Sequence, residues 1–80
     1  MNKETKEFLQ YIIKIARYWD NCPAASQNDK CGGTAFSILS LIDGCSMDCD
    51  GYTIIDNATG KVINDGIALH EFMDEVEQEM

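Results

Sequence analysis

Along the first twenty residues, Phe8, Ile12, Ile15, Ala16 and Trp19 recur at three- and four-residue steps, while Lys6, Glu7, Gln10, Lys14 and Arg17 largely fill the opposite side. That spacing predicts an amphipathic helix from about Lys3 to Trp19. Cys22-Pro23 ends it, because the residue before a proline is pushed out of helical geometry. Ala24 to Asp29 reads as a polar linker. The next segment, from Cys31 to Gly44, is apolar on nearly every face between Ala35 and Ile42, and Gly44 falls where a left-handed terminator belongs. A short apolar run also suits a strand. The Ala, Leu and Ser content and the closing Asp43-Gly44 favour a buried helix, in which Gly32 and Gly33 allow another backbone to come close.

After a loop rich in Cys and Asp, two β-prone runs, Tyr52–Ile55 and Lys61–Asn64, flank Asp56–Gly60 and predict a hairpin. A two-stranded ribbon is barely stable alone, so it is expected to lie against the helices. Asn64 or Asp65 is placed to cap a third helix with Leu69, Phe72, Met73 and Val76 as its apolar stripe. The expected fold class is therefore α+β, ordered helix, helix, β-hairpin, helix, with residues 1–80 forming a single domain. Chains of this length bury only about 60% of the surface that the unfolded form exposes, so a modest core is expected.

Certain of these residues resemble a group of small uncharacterised bacterial and prophage-associated proteins. The resemblance is carried by Ala35-Phe-Ser-Ile-Leu-Ser-Leu-Ile-Asp-Gly44, by Gly51-Tyr52, by Ile63-Asn-Asp65 and by Leu69-His-Glu71. These stretches are similar to an "AFSxLxxLDG" helix, a "GF" strand and a closing "LHE" helix, over about residues 33–73. The resemblance implies the same fold outline and brings no activity or catalytic residue. This chain departs from the pattern in a shorter segment between the strand and its partner and in its cysteines. If the prophage connection holds, one implied role is an acidic inhibitor that occupies the basic nucleic-acid groove of a host defence enzyme.

Charge narrows the candidate partners. Fourteen Asp and Glu against six Lys and Arg leave a net charge of −8, and every charged residue after Asp65 is acidic. Nucleic acid is a poor ligand for such a chain, because binding a polyphosphate depends on Lys and Arg displacing counterions. An anionic membrane surface is disfavoured likewise, and no apolar run reaches the roughly 20 residues that span a bilayer. The polar start and the interruptions at Lys14 and Arg17 do not make a secretion signal, so a cytoplasmic location is expected. A basic protein partner fits the charge. Glu71, Asp74, Glu75, Glu77 and Glu79 on the third helix are the candidate partner-binding residues, although charge that merely keeps a small domain dispersed is the plainer account.

Four cysteines, Cys22, Cys31, Cys45 and Cys49, are the candidate metal ligands, since four thiolates complete a tetrahedral zinc site. Only Cys45 and Cys49 are closely spaced, and a zinc ribbon normally offers two tight pairs. Disulfides need an oxidising compartment, so thiols acting as small apolar residues are the preferred reading and no cofactor is expected. Ser46 to Gly51 resembles the opening of a calcium loop, with Asp48 and Asp50 two apart. The twelfth position is Asn57, which lacks the closing bidentate carboxylate. A small metal-binding protein built on the cysteines or on the Asp48/Asp50 loop is the alternative function. His70, the single histidine, sits beside Glu71 with no nucleophile at a defined spacing. It reads as a packed helix histidine bonded to nearby backbone. Phosphate loops and basic-aromatic surfaces are absent from the sequence, and Asn57-Ala-Thr59 fits a glycosylation sequon that a cytoplasmic chain does not use. The chain is expected to be a non-enzymatic interaction module.

Overall fold

A computed structural model describes residues 1–45 and 49–80. Three helices follow in order: α1 (Lys3–Asp20), α2 (Gln27–Ile42) and α3 (Leu69–Glu79). The chain divides into two compact units, Met1–Ile38 and Leu39–Met80, with the boundary inside α2.

In the first unit, Asn2 caps α1 by accepting the Thr5 N–H at 2.7 Å, which satisfies one of the four donors a helix start leaves orphaned. The helix closes at Asn21, whose N–H reaches the Arg17 carbonyl. The expected linker over Ala24–Asp29 is corrected by the structure, because α2 already begins at Gln27. Ser26 and Asp29 form a capping box. The Ser26 hydroxyl accepts the Asp29 N–H at 3.1 Å. In return the Asp29 carboxylate accepts the Ser26 N–H at 3.3 Å. The Trp19 indole N–H donates to the Ser37 hydroxyl at 3.0 Å. One turn before Ser37 lies Gly33, and a Cβ there would come within 2.4 Å of the indole ring. The missing side chain is what lets Trp19 lie on α2.

In the second unit, α2 ends in a Schellman motif. The Gly44 N–H bonds the Leu41 carbonyl at 3.2 Å and the Cys45 N–H bonds the Ser40 carbonyl at 3.0 Å, with Gly44 at φ +82°. Gly51, at φ +101°, lies against this terminus, and the Tyr52 N–H donates to the Ile42 carbonyl at 2.8 Å. The segment leaving α2 thus returns to that helix's last turn. Leu41 and Ile42 are the buried apolar side chains among the described residues.

The α+β expectation is overturned: the described residues contain three helices and no β-strand, so the architecture is all-helical. The two runs taken for hairpin strands do reverse direction. A single antiparallel bridge joins Ile55 to Val62, and the Ile63 N–H reaches the Ile54 carbonyl at 2.8 Å. Pairing stops there because the Asn64 side chain takes over the backbone groups a longer ladder would need. Its amide oxygen accepts the Ile54 N–H at 2.9 Å and its amide nitrogen donates to the Tyr52 carbonyl at 2.7 Å. A side chain that satisfies both groups competes directly with strand formation. The turn itself is held by Asp56, whose carboxylate accepts the Ala58 N–H at 2.9 Å, an Asx-turn.

The expected caps of α3 are corrected as well. Asn64 is occupied in the loop, and the residue flanking the helix is Ala68, whose side chain has no capping group. The capping carboxylate comes from a distant position.

Candidate functional site

That position is Asp43, at the C-cap of α2. A negative side chain at a helix C-terminus opposes the helix dipole, an arrangement that costs about a few tenths of a kcal/mol. Here the carboxylate turns to the start of another helix, where the dipole favours it. Asp43 Oδ1 accepts the Leu69 N–H at 2.8 Å, and Oδ2 accepts the His70 N–H at 2.8 Å. Oδ2 also meets His70 Nδ1 at 2.6 Å. The Asp43 side chain is 2% exposed. These bonds therefore form away from water and are correspondingly strong.

Burial by itself raises the Asp43 pKa. The two backbone N–H groups and the His70 ring outweigh it, and the net displacement is below the ordinary value of 3.8. The carboxylate is therefore ionised at neutral pH and accepts only, so Nδ1 of His70 is the donor in the 2.6 Å bond. A group whose folded pKa lies below its unfolded one contributes stability that is present above the unfolded value and lost as pH falls through the folded value. The stability difference between wild type and Asp43→Asn is accordingly expected to shrink below about pH 4. Urea midpoints measured from neutrality down into the acid range check this, and a difference that grows on acidification is the contrary result.

Beside this clamp lies an open polar groove of about 310 Å³, lined by residues including Ile42, Asp43, Asp50, Thr53 and Asn64. Asp43 is shared between the groove and the clamp, while His70 meets that carboxylate without being among the groove's lining residues. The Asp43–His70 pair works as a helix-to-helix fastening: the residue that follows α2 caps the start of α3 with its carboxylate. The sequence reading missed Asp43 altogether, taking it as part of an Asp-Gly terminator. It assigned His70 to nearby backbone, whereas its ring meets a carboxylate 27 positions away.

The four cysteines are distributed between the units, with Cys22 and Cys31 in the first, Cys45 and Cys49 in the second, and none in a disulfide. The Cys22 thiol donates to the Tyr18 carbonyl at 3.2 Å, and Cys49 Sγ lies 3.8 Å from the Leu41 carbonyl. Among the described residues no three His, Cys, Asp or Glu side chains converge as metal ligands. Asp50 is exposed on the groove, while Asp48 lies outside the described residues.

The five acidic candidates of α3, Glu71, Asp74, Glu75, Glu77 and Glu79, are all exposed. The ion pairs of the described residues are Lys3–Glu7 and Asp43–His70, so none of the five has a cationic partner among those residues. Next to them the apolar stripe of α3 is only partly covered, with Phe72 43% and Val76 53% exposed. No described helix is long and apolar enough to cross a membrane. No family model matches the sequence, and comparisons with curated proteins and with solved structures find no match either.

Proposed function

We propose that this chain is a non-enzymatic interaction module whose α3 face docks a basic protein surface. What supports the reading is the combination on one short helix of five exposed carboxylates, none in an ion pair among the described residues, with the half-exposed Phe72 and Val76. Glu71 and Glu75, and again Glu75 and Glu79, stand one turn apart. Each such like-charge pair costs about a few tenths of a kcal/mol. Glu77 and Glu79 also oppose the dipole in the last turn, where no basic residue relieves them. A charge serving only to keep molecules apart works as well when spread over the surface. Concentrated beside apolar side chains, it matches a partner whose Lys and Arg surround a greasy patch, and such complementarity sets specificity and association rate. A groove that ordinarily receives a polyphosphate backbone is one surface of this kind.

The experiment compares wild type with the variant Glu71→Lys/Glu75→Lys/Glu79→Lys as immobilised bait, at low and moderate salt. Wild type is expected to retain basic proteins at low salt and release them as salt rises, because exposed charges are screened beyond about 10 Å at 0.1 M. The variant is expected to retain none of them. Equal retention by the two baits would overturn the proposal.

A further inference from the structure

The molecule carries a basic counterpart to the α3 face on its own first helix. Besides its covered side, α1 presents a second apolar strip, with Leu9 44% and Ile13 48% exposed. Followed around the helix, Lys6, Arg17, Lys3 and Lys14 lie in that order away from this strip, all to one side of it and within about a third of a turn. On α3, Glu79, Glu75 and Glu71 lie in that order away from the strip formed by Phe72 and Val76, to the opposite side and within about a third of a turn. Lys6 and Arg17, which border the α1 strip most closely, have no acidic partner among the described residues.

We infer that two copies of this chain associate through the Leu9/Ile13 strip of α1 in one and the Phe72/Val76 strip of α3 in the other. This rests on the reading of α3 as a docking face for a basic surface and names that surface. The handedness of the two arcs sets the direction. With the helices side by side and pointing the same way, the flank on the rising-angle side of one faces the flank on the falling-angle side of the other, as in parallel coiled coils. The flank of α1 that carries Lys6 and Arg17 then faces the flank of α3 that carries Glu71, Glu75 and Glu79, and the apolar strips close on one another. In the opposite direction the cations would face the far side of α3, away from Glu75 and Glu79. The charges select the pairing and its direction, and burial of the four apolar side chains supplies the attraction.

Sedimentation equilibrium of the full chain at low salt tests this, with two charge variants, Lys6→Glu/Arg17→Glu and Glu75→Lys/Glu79→Lys. All six positions altered in these and in the control variant below are surface positions. Far-UV circular dichroism of each variant verifies the fold. Wild type is expected to show a mass that rises with concentration, and each charge variant alone to associate at least about tenfold more weakly, because like charges then face each other. An equimolar mixture of the two variants is expected to recover association, since the acidic α1 of the first meets the basic α3 of the second. Leu9→Ser/Ile13→Ser is expected to weaken association with no change of charge. A wild type that stays monomeric at every concentration, or a mixture no better than the separate variants, overturns the inference. If wild type is monomeric while the α3 charge variant still loses basic proteins as bait, the docking reading survives and only the second copy is excluded; loss of both results removes both.

Discussion

Replacing Asp43 by alanine is expected to destabilise the Leu39–Met80 unit by about 3 kcal/mol. The figure has two parts. Loss of a helix N-cap costs about 0.5–2 kcal/mol, and loss of a hydrogen bond to a charged acceptor costs about 1.5–3 kcal/mol. In Asp43→Ala the Leu69 and His70 N–H groups are both left without the carboxylate they donate to, at a part-buried helix start. Domains are stable by only about 0.05–0.15 kcal/mol per residue, so this change removes a large share of the total. Asp43→Asn keeps the shape and one acceptor oxygen, and is expected to lose roughly half as much. His70→Ala removes the ring contact to Asp43 while keeping the backbone N–H, and is expected to cost about 1 kcal/mol or more. Urea titration followed by far-UV circular dichroism measures the three. Trp19 belongs to the other unit, so its fluorescence gives a second probe, expected to move less than the dichroism signal. An Asp43→Ala midpoint within error of wild type would show that the carboxylate does not hold α3.

A comparable loss, also about 3 kcal/mol, is expected from Gly51→Ala. Gly51 has φ +101°. Any L side chain there is strained, at about 1–3 kcal/mol. Space adds to the strain, because a Cβ would lie 2.8 Å from the Ile42 carbonyl oxygen and 2.9 Å from the Gly44 nitrogen. Both are backbone atoms in the Schellman terminus of α2, and neither swings aside as a side chain does. Moving Gly51 away would stretch the 2.8 Å bond from the Tyr52 N–H to that same carbonyl. Gly60 supplies the control. It too has positive φ, +74°, but a Cβ there meets nothing within 4 Å. Gly60→Ala therefore carries the conformational part alone, about 1 kcal/mol. Thermal melts of the two variants separate strain from clash, and equal melting temperatures would mean that the Gly44–Gly51 contact contributes little.

These two substitutions lie close together for a structural reason. The end of α2 is where the second unit is fastened: Gly44 turns the chain out, Gly51 and Tyr52 bring it back, and Asp43 reaches over to start α3. The docking face proposed for α3 depends on that fastening, since Glu71, Phe72 and Glu75 are ordered only if the first turn of α3 is held. Substitutions at Asp43 are therefore expected to impair binding indirectly, with lowered helicity, whereas substitutions at Glu75 or Glu79 change binding at unchanged helicity.

What the sequence determined by itself was local. The three helices were legible because side chains three and four apart share a face, and α1 was expected from about Lys3 to Trp19 and runs Lys3–Asp20. Gly44 as a terminator was legible for the same reason, as the motif spans six consecutive residues. The start of α2 was also written locally, in Ser26-Gln27-Asn28-Asp29, but the polar character of those residues concealed the capping box. The hairpin was the error: β-propensity in Tyr52–Ile55 and Lys61–Asn64 describes each run alone, and whether they pair was decided by where one amide side chain, Asn64, found its partners. The Asp43–His70 fastening belongs to tertiary structure entirely. A carboxylate at the end of one helix and the first N–H groups of another, 26 and 27 positions on, carry no periodicity that links them. Only the folded path of the chain, which leaves those N–H groups in want of an acceptor and Asp43 out of water, makes them one site.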